Sequence, residues 1–307
     1  MSNIRERRFD VDHNFDGWRL DRFLANRIGR LSRSRAGDIA RYGDVEIFPP
    51  RKVKAGTRVR LGDVVVVRQH LPDEAVQYDE VELLHADDAL IVVNKPAGML
   101  VHEAANVRLN TVQMFLEERG FDGAEPAHRI DRETSGIVVC AASPAWVHPL
   151  REMFATTHPE KVYRALAVDP KELWQPGPPH TLDTPLRLAD ETVLGIRMVP
   201  GNLEATTHVE FVARRGELAD LRVTIETGRQ HQIRAHLQLF GTPIAGDKLY
   251  THDDQFFMDI TDRPDDPELL ARLPFPRHML HAWRIAFAHP ATGQRVSFEA
   301  PLPEGWS

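Results

Sequence analysis

Three places in this 307-residue chain carry side chains that can do chemistry. The first is HRIDRETSG, residues 128–136, where charged, imidazole and hydroxyl groups crowd ahead of a glycine. An apolar run, GIVVCAA, follows at once, so a buried strand anchors one end of the loop and makes it a rigid place for a reactive group. Asp131 lies between Arg129 and Arg132. Flanking arginines would keep its carboxylate ionised below the free value of ~3.9, fit to act as nucleophile or base at neutral pH. The plainer alternative is an arginine–aspartate lattice that pins the loop, with Thr134 and Ser135 capping turns.

The second place is TGRQHQIRAH, 227–236, a strand-to-helix turn bearing Arg229, Gln230, His231, Gln232, Arg234 and His236. A helix N-terminus attracts anions, and these side chains add donors. The third is Tyr163 in KVYRALAV, which shares a strand face with Ala165 and Ala167. Small neighbours leave room for a flat ring to be presented, and a core tyrosine with a satisfied hydroxyl fits equally well.

Metal chemistry is not expected. His231 and His236 are five apart and do not face one way on a helix; His278 and His281 have no cysteine or acidic neighbour; His102-Glu103 lacks the second histidine of the zinc-protease motif. A single cysteine, Cys140, excludes an intramolecular disulfide framework and a four-cysteine zinc site, and reads as a small core residue. Neither a glycine-rich phosphate loop nor a Gly-x-Ser-x-Gly elbow occurs, which argues against nucleotide triphosphatases and α/β-hydrolases.

The elements that must position these groups form a mixed α+β body from about residue 81. Buried strands are predicted at LIVVNK and GIVVCAA, further strands at KVYRALAV and LRVTIETG, and a helix from Pro149 through Phe154. The helix after Arg229 carries Ile233, Leu237 and Phe240 on one face and stops at Gly241, and WRIAFAHPATGQRVSFEAP reads as two strands joined by a turn. Residues 251–276 read as an inserted surface excursion.

Ahead of this body, residues 1–70 carry sixteen Arg and Lys against nine Asp and Glu, although the whole chain has a net charge of −7. A basic head on an acidic body suits a polyanionic partner; a solvated basic surface is the plain alternative. Leu20, Phe23, Leu24 and Ile28 mark one helix, and Ser32 or Ser34 can cap a second through Arg41. Arg27, Arg30, Arg33, Arg35 and Arg41 would then form a compact platform for phosphates. Residues 71–80 read as a linker to a second domain at 81–307. No apolar run approaches the ~20 residues of a membrane span, and MSNIRERRFD lacks a signal-peptide core, so the expected compartment is the cytoplasm, with no membrane partner.

The motifs ADDALIVVNKPAGMLVH, HRIDRETSGIVVCA, KVYRALAVD, TGRQHQIRAHLQLFGTPIAGDKLY and RHMLHAWRIAFAHPATGQ, in that order, resemble the RluA family of RNA pseudouridine synthases. RLDRFLA, LSRSRAGDIARYGDVEI and LGDVVVV resemble the small RNA-binding domain of a ribosomal small-subunit protein, with Phe48-Pro49-Pro50 replacing that family's usual Asn-Gly turn. The resemblance implies a central mixed, mostly antiparallel sheet flanked by helices, preceded by a small α/β RNA-binding domain. It implies isomerisation of uridine inside RNA, a reaction that oxidises nothing and donates no group, so no cofactor is expected. The basic head favours a large structured RNA, large-subunit ribosomal RNA over transfer RNA, and a monomer is expected. By the same resemblance Asp131 is the catalytic aspartate and Arg234 its partner. By that resemblance too, Tyr163 lies against the uracil and Arg129 fills the gap left by the flipped base. A dry pocket would need apolar walls such as Leu280, and Arg229 and His231, in the anion-attracting turn, are expected among the RNA contacts. A non-catalytic RNA-binding assembly factor is the competing reading, and a metal-dependent nuclease a third.

Overall fold

The structure, a computed structural model, describes residues 4–28, 39–40, 44–70, 74–104, 107–189 and 194–306. It divides into two compact units, Met1–Glu74 and Ala75–Ser307.

In the first unit, β1 (Ile4–Asp10) is followed by α1 (Leu20–Arg27), β2 (Asp44–Phe48) and β3 (Val64–His70), with β3 between the other two strands and antiparallel to both. Leu20, Phe23 and Leu24 are fully buried against Val45, Ile47, Val65 and Val67, as their helical spacing requires. Arg27 is exposed, its guanidinium 5.7 and 5.6 Å from the rings of Phe9 and Phe15. Arg30, Arg33 and Arg35 lie outside the described residues. So does the second helix expected from Ser32 or Ser34 through Arg41, except for Ile39 and Ala40, which are helical.

The second unit starts earlier than the expected linker would end. Gln77 takes the side-chain oxygen of Asn110 on its backbone N–H, and the Tyr78 hydroxyl donates to the Leu109 carbonyl, so residues 77–78 are built into this unit. Its strands are β4 (Glu82–Ala86), β5 (Leu90–Lys95), β6 (Glu125–Pro126), β7 (Ser135–Ala141), β8 (Glu160–Val168), β9 (His180–Leu182), β10 (Leu186–Leu188), β11 (Met198–Pro200), β12 (Thr207–Arg215), β13 (Leu218–Ile225), β14 (Leu280–Ala288) and β15 (Arg295–Glu299). The large sheet runs β4-β5-β7-β14-β8-β13-β12-β9, with β6 on β7 and β15 on β14, while β10 and β11 pair apart from it. Among the described strands only β7 and β14 pair in parallel, which gives the mixed, mostly antiparallel sheet.

The helices are α2 (Val112–Glu118), α3 (Pro144–Thr156), α4 (Gln232–Phe240), α5 (Asp254–Asp262) and α6 (Pro267–Leu270). The helix expected to open at Pro149 opens at Pro144 instead, where a missing N–H costs nothing, and Pro149 lies inside it. Residues 251–276 hold α5 and α6, which enclose a small core of Phe256, Ile260 and Leu269.

The sheet is covered on both faces, which is why its central strands read as continuous apolar runs. Along β7, Val138 and Cys140 enter the core that also takes Ile233 and Leu237 of α4, while Ile137 and Val139 pack with Leu150 and Phe154 of α3. Gly136 at the start of β7 has φ 111°, and a Cβ there would run into the Ala282 backbone of β14. Glycine therefore allows the close parallel approach that brings the 128–134 loop beside Leu280.

Candidate active site

Asp131 sits in the loop between β6 and β7. The loop is tied at several points: Gly98 N–H donates to the Arg132 carbonyl at 2.8 Å, Arg132 Nε returns a bond to the Gly98 carbonyl, and Thr134 N–H closes a turn on the Asp131 carbonyl. Lys95, fully buried, donates Nζ to the carbonyls of Pro96, Met99 and Arg132. Burial lowers its pKa to about 7, while the Asp131 carboxylate favours its charge.

Arg234 approaches from the first turn of α4. Its Nη1 donates to Asp131 Oδ2 at 2.8 Å, and its Nε and Nη2 donate to the two oxygens of Asp247 at 2.6 and 2.9 Å. Asp247 Oδ1 also accepts the backbone N–H groups of Leu249 and Tyr250, and the Tyr250 ring lies 5.1 Å from the guanidinium. One cation thus joins two carboxylates, of which Asp247 is wholly buried and Asp131 retains 21% of its side-chain exposure.

The flanking-arginine reading of Asp131 is corrected here. Among the described residues its ion-pair partners are Arg234 and, at 3.8 Å, His231; Arg132 is exposed and bonded to Gly98, and Arg129 is exposed. The partner comes instead from 103 residues away. Thr134 and Ser135 do not cap turns with their hydroxyls either. They bond to His278 at 2.7 Å and His281 at 2.9 Å, and His278, expected to have no acidic neighbour, has Glu133 3.6 Å from its Nδ1.

Burial alone would push the Asp131 carboxyl up, but the Arg234 guanidinium, charged and hydrogen-bonded to it, outweighs burial and holds it well below the usual carboxylate range. Burial takes His231 down to about 4 and His278 to about 3, so both are neutral at pH 7 and Arg234 supplies the standing charge. Tyr163, buried on β8, remains a neutral phenol because burial, and then the Asp131 charge, disfavour its ionisation.

These groups face a cavity of about 340 Å³, within the ~300–1,000 Å³ range of small-ligand sites. Its apolar walls are Ile130, Tyr163, Ile225, Ile233 and Leu280, and Asp131, His231 and Arg234 also line it. Arg129, Gly228, Arg229 and Gln230 are its exposed members, and His128, Thr134, Lys161 and Gln232 complete the lining. The sequence-predicted residues Asp131, Arg234, Tyr163, Arg129, Arg229, His231 and Leu280 are therefore brought together, whereas Arg27 belongs to the first unit. Asp247, Tyr250 and Lys95 were missed, although all three lie inside motifs quoted above.

His85, Asp87 and His289 form the one group among the described residues with metal-ligand spacing. Both imidazole Nε2 atoms lie 2.8 and 3.0 Å from the same Asp87 oxygen, and His289 Nδ1 accepts the Ala291 N–H at 3.2 Å. That acceptor places the ring proton of His289 on Nε2, which donates to Asp87; the donor set fits a hydrogen-bonded clasp between two turns. His236 bonds to Thr207 and Thr184, away from the cavity lining.

The family model described as RNA pseudouridylate synthase matches residues 89–239. Ribosomal large subunit pseudouridine synthase D of Zymomonas mobilis is 32% identical over 303 residues, spanning 94% of this chain and 91% of that protein. The chain belongs to the RluA family of RNA pseudouridine synthases. It is an isomerase. Ribosomal large subunit pseudouridine synthase C of Vibrio cholerae is also similar, 30% identical over 95% of this chain and 92% of its own length. The fold is shared with human RNA pseudouridylate synthase domain containing 1, with a TM-score of 0.56 at 21% identity over 75% of this chain and 86% of that one. No described helix is long and apolar enough to cross a membrane.

Proposed function

We propose that this synthase isomerises uridines in large-subunit ribosomal RNA, with Asp131 as its catalytic carboxylate and the 340 Å³ cavity as the chamber for one extruded uracil. The observation that carries this reading is the Asp131–Arg234 contact at the wall of a cavity that also presents the Tyr163 ring. In the reaction the C1′–N1 bond breaks, a C1′–C5 bond forms, and the proton on C5 is replaced by one on N1, so composition is unchanged. A stacked base cannot be detached and turned, so it must leave the helix at a cost of a few kcal/mol. Arg129, exposed at the cavity, would occupy the vacated position.

Within the chamber the apolar walls keep the loosened ring from water, and Tyr163 offers it a flat face. Asp131 stays ionised because Arg234 faces it, ready to add to the ring or to take the ribose 2′ proton. Ribosomal RNA is favoured because the relatives named above are large-subunit enzymes and because the basic first unit suits a large folded polyanion. Arg27, Arg30, Arg33 and Arg35 would supply phosphate contacts there, and the enzyme would act as a cytoplasmic monomer without a cofactor.

The test is to map pseudouridines in total RNA from a strain lacking the protein, restored with the wild-type or Asp131→Asn chain. Loss confined to large-subunit ribosomal RNA and restored only by wild type is the expected result. Loss confined to transfer RNA would transfer the activity to that substrate, and restoration by Asp131→Asn would remove the catalytic role of Asp131.

A further inference from the structure

His231 is one of the described non-glycine residues with a left-handed backbone, at φ 50°. Such a conformation costs about 1–3 kcal/mol and persists where neighbours impose it. Gln232 does so here: its Oε1 accepts the Thr227 hydroxyl at 2.7 Å and the Arg229 N–H at 3.1 Å, while its Nε2 donates to the Thr206 carbonyl and the Thr207 hydroxyl. The turn between β13 and α4 is thereby locked, and it aims the His231 imidazole at the chamber.

The orientation of that ring is also specified. Tyr250 Oη accepts the Met198 N–H at 2.8 Å, which leaves its own proton for His231 Nδ1, 3.4 Å away. In the tautomer that accepts this proton at Nδ1, the imidazole carries its own proton on Nε2. Nε2 faces Asp131 Oδ1 from 3.8 Å, too far for a hydrogen bond, and it has no other hydrogen-bond partner among the described residues. A strained backbone thus presents an unused N–H donor in the wall of the cavity, beside the carboxylate.

We infer that His231 donates its Nε2–H to a carbonyl oxygen of the uracil while the ring is being detached. The inference rests on the chamber reading above. Both routes open to Asp131 load negative charge onto the ring oxygens: addition to the ring makes an enolate, and removal of the 2′ proton drives the C1′–N1 electron pair into the ring. A fixed donor that meets charge as it develops lowers the barrier without having to reorganise. Remaining neutral matters, because an imidazolium would compete with Arg234 for Asp131. Burial and the Arg234 charge oppose protonation of His231 and the carboxylates of Asp131 and Asp247 favour it, leaving its pKa at about 4. Contact with RNA phosphates, the role suggested by its place in the anion-attracting turn, fits less well, since a neutral ring brings no charge to a phosphate.

The test uses the full-length enzyme and an RNA fragment centred on a uridine that it modifies, carrying uridine, 2-thiouridine or 4-thiouridine there. Sulfur accepts hydrogen bonds poorly, so substitution at the contacted oxygen should slow single-turnover conversion by wild type. His231→Leu should slow conversion of ordinary uridine by ~10²–10³-fold, as loss of one transition-state donor does, with RNA affinity changed less than about threefold. In that variant the same thio substitution should add no further penalty, and His231→Gln, which keeps an N–H, should recover part of the rate. Thio and His231→Leu penalties that multiply, no thio effect in wild type, or a loss confined to RNA affinity would each overturn the inference. Asp131→Asn is run alongside: turnover by that variant would defeat the chamber reading itself, whereas an inactive Asp131→Asn with uncoupled thio effects defeats only the role of His231.

Discussion

Asp247 takes the Nε and Nη2 protons of Arg234 and leaves Nη1 to meet Asp131. The guanidinium is thus fixed as a fork with a buried handle, and the position of the Asp131 carboxylate depends on a residue that does not itself touch it. Asp247→Asn preserves shape but removes the charge. Breaking a buried ion pair typically costs about 3–5 kcal/mol. The expected outcome is a lowered melting temperature together with at least a tenfold slower single turnover; wild-type values of both would show that Arg234 is held by something else.

Arg234→Lys separates charge from geometry. Lysine keeps one positive charge but cannot span two carboxylates on opposite sides of a planar group. Because Arg234 is buried in contact with both, the substitution should lower stability and activity alike. Thermal melting and a turnover assay on the same preparation check this. A variant that melts normally and retains full rate would refute the two-sided clamp.

Stability should depend on pH chiefly through neutral buried histidines. Burial brings His128 and His278 to about 3 and His231 and His281 to about 4, against ~6.5 in the unfolded chain. Between these values the unfolded state binds protons that the folded state refuses, so stability falls as pH drops below ~6.5. Each such histidine contributes a slope of about 1.4 kcal/mol per pH unit. Asp131 and Asp247 have the opposite history: their lowered pKa values stabilise the fold above ~3.9, and that contribution disappears only as pH falls toward the folded values. Denaturant melts should therefore weaken steeply from pH 6.5 to 5, before the carboxylates titrate. A flat profile over that interval would contradict the neutral burial of these rings.

How much of this was readable in the chain follows from the range of each interaction. Ile91 and Val93 alternate with Leu90 and Val92 between the two sheet faces, and Leu20, Phe23 and Leu24 repeat at helical spacing, so β5 and α1 are visible in local pattern. β1 is not, because Ile4–Asp10 is an edge strand whose charged residues mask any alternation. Asp131 stood out as a carboxylate in a dense polar loop, and the family resemblance named Arg234 as its partner. Asp247 had no local mark: it is an aspartate between Gly246 and Lys248, and only the approach of α4 turns it into the other half of a clamp. The one signal available was chemical, since an arginine buried beside a single carboxylate still has donors to satisfy.

Gly136→Ala tests the link between sheet pairing and site. The added methyl meets the Ala282 backbone, and the φ of 111° is unfavourable for alanine. Overpacking and backbone strain together should cost about 2–4 kcal/mol. Because the strain falls where β7 leaves the Asp131 loop, turnover at a temperature where the variant is folded should also decline. Normal melting would show that β14 yields to the methyl group, and the claim that this glycine sets the approach would fail.

Arg27 offers the accessible test of the basic first unit. Its guanidinium is exposed near Phe9 and Phe15, with no carboxylate partner among the described residues. If it neutralises one RNA phosphate, Arg27→Gln should weaken binding and reduce the slope of log affinity against log salt by about 0.7–0.9. The rate of conversion once RNA is bound should stay at the wild-type level, because Arg27 does not line the cavity. Titrations at several salt concentrations, paired with single-turnover rates at saturating enzyme, separate the two effects. An unchanged slope would detach Arg27 from RNA, and a slowed bound-state rate would mean that the first unit does more than supply electrostatic contact.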